Sequence, residues 1–77
     1  MNKQTSSLPA SANFAALPDD AHVRLPVVCE IYAMSRASVW RKVKDGSIPA
    51  PKKFSVQVTA WRVGDIRADL ARRSAAY

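Results

Sequence analysis

The chain has 77 residues, 48% of them apolar, with a formal net charge of +6 and a pI near 10.1. That length suits one small domain, and that apolar share excludes wholesale disorder. A single cysteine, Cys29, and a single histidine, His22, exclude an internal disulfide and point to no zinc site, while the positive charge points to an anionic partner.

Residues 1–21, MNKQTSSLPASANFAALPDDA, are rich in Ser, Ala, Asn and Pro and keep no amphipathic period. A flexible N-terminal tail is expected there, with at most a transient turn near residues 14–17. Residues 22–77 are expected to form the domain. The start of the chain lacks the charged opening, long apolar run and cleavage site of a signal peptide. No apolar run approaches the roughly 20 residues that span a membrane, so a cytoplasmic protein without a membrane partner is expected. Residues 25–34, LPVVCEIYAM, predict a first helix over about 26–33. Pro26 suits the first helical turn, where a missing N–H costs nothing. Cys29 lies among apolar residues and reads as a small buried hydrophobe.

Residues 35–46, SRASVWRKVKDG, predict a second helix over about 36–44, after a very short connection. Ser35 is a suitable N-cap, since its hydroxyl accepts from a free backbone N–H. Gly46 suits the left-handed residue that ends a helix. Val39 and Val43, four apart, share an apolar face, and Arg41 points nearly opposite, with Ala37, Ser38 and Lys44 around it. A short helix of this kind following another is how a helix-turn-helix protein presents itself to DNA.

Pro49 and Pro51 then exclude helix and keep the backbone extended. Residues 53–55 and 59–62 predict two short strands around a turn at 56–58, on the alternation of Phe54, Val56 and Val58 against Lys53, Ser55 and Gln57. Residues 64–73, GDIRADLARR, predict a closing helix. Asp65 near its start and Arg72 and Arg73 near its end complement the helix dipole, and Ile66 and Leu70 form its apolar stripe. The order helix–helix–hairpin–helix gives a mainly α winged helix-turn-helix with a small β-hairpin. Its expected core is Leu25, Val28, Met34, Val39, Val43, Ile48, Phe54, Trp61, Ile66 and Leu70.

The charge is not spread evenly. Between residues 36 and 62 stand Arg36, Arg41, Lys42, Lys44, Lys52, Lys53 and Arg62 against the single acid Asp45, so this stretch accounts for the whole net charge. A face kept charged for solubility more often mixes signs, so a nucleic-acid surface is the preferred reading.

Four blocks carry a resemblance: LP-x-V at 25–28, MSRASVWR at 34–41, DGSIPAPKKF at 45–54 and AWR at 60–62. Together they resemble the AlpA-type regulators, small winged-helix proteins of prophages and other integrated elements, related to excisionases and to the DNA-binding domain of MerR-type regulators. The resemblance covers about residues 24–73. It implies sequence-specific binding to double-stranded DNA, with residues 35–44 as recognition helix and 52–62 as wing. It also implies control of the element's genes or service as an excision factor. The chain departs from the family twice. Its wing turn has no glycine, and Asp69 stands where the closing helix often carries a second tryptophan.

On that basis Arg36 is the first choice for a base contact, since guanidinium bonds guanine bidentately, with a phosphate contact as the equal alternative. Ala37 suits a thymine methyl and Ser38 a base edge or phosphate, the alternative being that both are small to let the helix approach closely, and Ser35 starts the same helix. Arg41 reaches base or phosphate one turn on. Trp40 divides between a phosphate contact and core packing. Lys42, Lys44, Lys52 and Lys53 suit phosphates, which position the protein without reading sequence. Ser55 and Gln57 belong to the wing, and Arg62 beside it suits the DNA backbone or the minor groove. Trp61 reads as core, and Arg67, Arg72 and Arg73 as ordinary helix surface.

No enzyme, cofactor, metal or small-molecule ligand is suggested. Asp19 and Asp20 adjoin but lie in the tail, and His22 has no evident partner. Three functions stay open: a transcription regulator of a prophage or mobile element, an excisionase on arrayed sites near an attachment site, and a protein-interaction module or phage-encoded inhibitor. A homodimer or a cooperative assembly on DNA is expected, because one small module buries only about 600–1,000 Å².

Overall fold

A computed structural model describes residues 11–75. A 3₁₀ turn at Phe14–Ala16 leads to strand β1, His22–Val23. Helix α1, Leu25–Tyr32, carries Pro26 in its first turn, as expected. Helix α2 is Arg36–Lys44, strands β2 and β3 are Lys52–Lys53 and Thr59–Arg62, and helix α3 is Val63–Ala75. β3 passes into α3 with no residue between them. The three helices and a three-stranded antiparallel sheet make a small winged helix-like domain.

The sheet order is β1-β3-β2. Lys52 pairs with Ala60 and Lys53 with Thr59, which forms the expected wing. β1 is an addition that the sequence does not announce: His22 pairs with Arg62 and Val23 with Trp61. The wing turn needs no glycine. The Val58 N–H donates to the Ser55 carbonyl at 3.3 Å, and the Phe54 N–H to the Val58 carbonyl at 2.8 Å. Among the described residues Ala33 alone combines a side chain with positive φ, so the wing tip stays in ordinary backbone regions.

The core centres on Val28, Val39, Trp61, Val63 and Ile66, all fully buried, with Val23 beside them. Ile48 and Ala60 are buried too, and Leu25, Met34, Val43 and Leu70 are half-buried. Cys29 is half-buried against the core, close to its expected role. The Trp61 indole N–H, which a buried ring must satisfy, donates to the Pro49 carbonyl at 2.9 Å. Phe54 corrects the expected core. β2 ends at Lys53, and the Phe54 ring, 57% exposed, turns edge-on to His22 with centroids 5.0 Å apart.

The arginines of α3 also differ from expectation. The Asp69 carboxylate is buried and accepts from the Tyr32 hydroxyl at 2.7 Å, from Arg72 at 2.6 Å and from Arg73 at 2.7 Å. Arg73 also donates to the Ser47 carbonyl beyond α2 at 2.5 Å, so one cluster joins the ends of all three helices. Burial raises the Tyr32 pKa well above the ordinary phenol range, and the bond to Asp69 adds to the rise, so the hydroxyl remains a donor.

Residues 1–10 of the expected tail lie outside the described residues. From residue 11 on, the segment lies against the body. Phe14 and Leu17 pack on the core, and Arg67 donates to Asp19 at 2.8 Å and to the Phe14 and Ala15 carbonyls, both at 3.1 Å. The Val63 and Gly64 N–H groups, free at the start of α3, donate to the carbonyls of Ala21 and Asp19 at 2.8 and 3.0 Å.

Candidate nucleic-acid interface

α2 is fixed at both ends by its own sequence. The Ser35 hydroxyl accepts from the Ser38 N–H at 3.2 Å and donates to the Ser38 hydroxyl at 3.1 Å, so Ser38 is half-buried and drawn into the cap. At the other end Gly46, at φ 89°, donates to the Val43 carbonyl at 3.2 Å, and Ser47 donates to the Lys42 carbonyl at 2.9 Å. That is the paired arrangement by which a left-handed residue closes a helix. Val39 faces inward with no exposed surface, and Val43 packs beside it. The opposite side presents Arg36, Ala37, Trp40, Arg41 and Lys44, all exposed.

Trp40 is partly packed and partly open. Its ring lies 5.3 Å from that of Trp61, tilted by 45°, while 42% of the residue stays exposed. The wing adds Lys52, Lys53, Ser55 and Gln57, all exposed, and Val56 at its tip, 87% exposed. Between α2 and the wing runs an open cleft of about 490 Å³. Arg36 and Trp40 line one side, Gln57, Thr59 and Trp61 the other, and Arg24, Leu25 and Pro26 close the end. Arg24 is outside the residues to which the sequence points. The available signal was a lone cation just ahead of the proline that starts α1.

Charge is sorted in space. Among the described residues, Arg62, Arg67, Arg72 and Arg73 form ion pairs with Asp19, Asp20, Asp65 and Asp69. Arg62 is therefore not free beside the wing as expected. Because β3 runs straight into α3, its guanidinium meets Asp65 at 3.1 Å and Asp20 at 3.4 Å, and the Asp65 bond raises its pKa further. Arg36, Arg41, Lys42, Lys44, Lys52 and Lys53 form no ion pair among the described residues. The nearby acid, Asp45, is turned to the Ser47 N–H at 2.9 Å, and its bonds to Ser47 hold its carboxyl below the usual range. Among the described residues no three metal-ligating side chains gather, and no helix is long and apolar enough to cross a membrane.

The family model described as prophage CP4-57 regulatory protein (AlpA) matches residues 21–74, which take in all three strands and nearly all of the three helices. The chain belongs to the AlpA family. Neither a curated protein nor a solved structure matches it. As an AlpA protein it is a member of a phage regulatory family. The matched stretch begins at Ala21, whose carbonyl is bonded to the first residue of α3.

Proposed function

We propose that this AlpA protein is a sequence-specific DNA-binding transcription regulator of a prophage or integrated mobile element. What supports the reading is the sorting of charge: the cations of α2 and β2, exposed but for the half-buried Lys42, form no ion pair among the described residues, while Arg62, Arg67, Arg72 and Arg73 are matched to acids. Unpaired cations on one helix and the adjoining strand repel one another unless a polyanion lies across them. In this reading α2 enters the major groove with its N-terminal half, bringing Arg36, Ala37, Ser38 and, one turn on, Arg41 to base edges and the adjoining backbone. Trp40, Lys42, Lys44, Lys52, Lys53, Ser55 and Gln57 hold the backbone on either side.

Footprinting across the chain's own genomic neighbourhood, followed by titration of the protected duplex at several salt concentrations, tests this. Log affinity is expected to fall with log salt by about 0.9 per phosphate contacted. Arg41→Ala is expected to relax sequence preference, whereas Lys52→Ala weakens all sequences alike and makes the salt slope shallower by about 1. Absence of binding to the element's DNA at low salt would sink the proposal.

A further inference from the structure

The cleft between α2 and the wing holds an arginine that neither of them supplies. Arg24 stands immediately before α1, is exposed, and reaches the Gln57 carbonyl at the wing tip at 3.5 Å. That distance is at the weak limit of a hydrogen bond, so the contact steers the guanidinium over the cleft without occupying its donors. Arg36, the first residue of α2, lines the same cleft, and no acidic side chain does. Neither arginine has an ion-pair partner among the described residues. Two guanidinium groups around one acid-free cleft are a site for a single anion, and their donor forks match the oxygens of a phosphate group. The rest of the lining is largely apolar: Pro26 and the exposed part of Trp40. Free inorganic phosphate has no use for such a wall. A phosphodiester does, because a deoxyribose flanks it.

We infer that Arg24 and Arg36 clamp one phosphodiester of the DNA backbone between α2 and the wing, with the neighbouring deoxyribose against Trp40 and Pro26. The inference rests on the DNA-binding reading above. It makes Arg24 a DNA-binding residue, assigns Arg36 to the backbone rather than to a base, and leaves Arg41 as the arginine that reads sequence.

The test is an anisotropy titration of the full chain against its footprinted duplex and a scrambled one, across a range of salt, for R24A, R24K, R36A and the double variant R24A/R36A. Melting curves verify that each variant is folded. R24A is expected to weaken both duplexes by about tenfold and to make the salt slope shallower by about 1. R24K restores the slope but not the full affinity, because it keeps the charge and loses the fork. The double variant loses less than the product of the single losses, since both arginines hold the same group. A scan of single methylphosphonate linkages finds one position per bound subunit where neutralising the phosphate weakens the natural chain but not R24A. An R24A protein with unchanged affinity and slope overturns the clamp while the DNA-binding reading stands, and so do multiplicative losses in the double variant. If the natural chain binds neither duplex at low salt, both readings fall.

Discussion

Asp69 is a carboxylate with 2% of its surface exposed, on a helix whose other buried residues are Val63 and Ile66. Burial by itself pushes its pKa up. The bonds from Arg73 and Tyr32, with the nearby guanidinium charges, more than offset that and hold it below the usual carboxylate range. A carboxylate whose folded pKa is depressed stabilises the fold above its unfolded pKa, and that stability is lost as pH falls through the folded value. Asp69→Asn is therefore expected to cost about 1–2 kcal/mol at pH 7, because the Tyr32 hydroxyl and two guanidinium groups lose a buried charged acceptor while both guanidinium groups still reach water. The gap between the natural chain and the variant narrows as pH falls from about 5 to below the depressed pKa. Thermal melts of both proteins across that range check this, and a gap independent of pH would contradict it. A signal of this role lay in the sequence: Asp69 keeps the helical phase of Val63 and Ile66 and stands three and four residues before Arg72 and Arg73. What the sequence lacked was Tyr32, 37 residues away, whose bond shows that this face is inward.

The turn joining α1 to α2 rests on Ala33, at φ 56° and ψ 45°. Its N–H donates into the last turn of α1, and Met34 donates to the Cys29 carbonyl at 3.0 Å, so this left-handed residue performs for α1 what Gly46 performs for α2. An alanine there carries a steric cost that glycine avoids. Ala33→Gly is expected to stabilise the domain by about 0.5–1 kcal/mol net of the entropy glycine loses on folding. A rise of a few degrees in Tm is the readout, and a fall would mean that the turn is not strained. The elements themselves were unequally legible. α2 was readable to the residue because its caps, Ser35 and Gly46, are local signals. β1 was not, because two residues become a strand only by pairing with Trp61 and Arg62, far along the chain. Phe54 misled for a related reason. Alternation assigns a phase to a strand, but β2 stops one residue short and leaves the ring outside. The candidate interface was legible in its cations and not in Arg24, whose place depends on how α1 meets the wing.

At the scale of the molecule, acids and bases are separated rather than mixed. The six acids are Asp19, Asp20, Glu30, Asp45, Asp65 and Asp69, and Asp45 alone stands in the stretch from 36 to 62. The exposed basic side repels itself in the free protein. Raising salt from about 0.05 to about 0.5 M is expected to raise Tm by a few degrees, because screening relieves that repulsion while the buried Asp69 pairs change little. A lower Tm at high salt would instead mean that the exposed pairs of Arg62 and Arg67 dominate. The direct passage of β3 into α3 also determines where the chain tolerates a change of length. One residue inserted between Arg62 and Val63 would turn α3 by about 100° about its axis. Val63, Ile66 and Asp69 would leave their places together, and Ala21 and Asp19 would lose the N–H groups they receive. The wing tip at 55–57 is held less tightly: its side chains are exposed, and its carbonyls accept from Val58 at 3.3 Å and from Arg24 at 3.5 Å. Of these two places, a change of length is thus expected to be borne at the wing tip, whereas the junction of strand and helix keeps a fixed residue count.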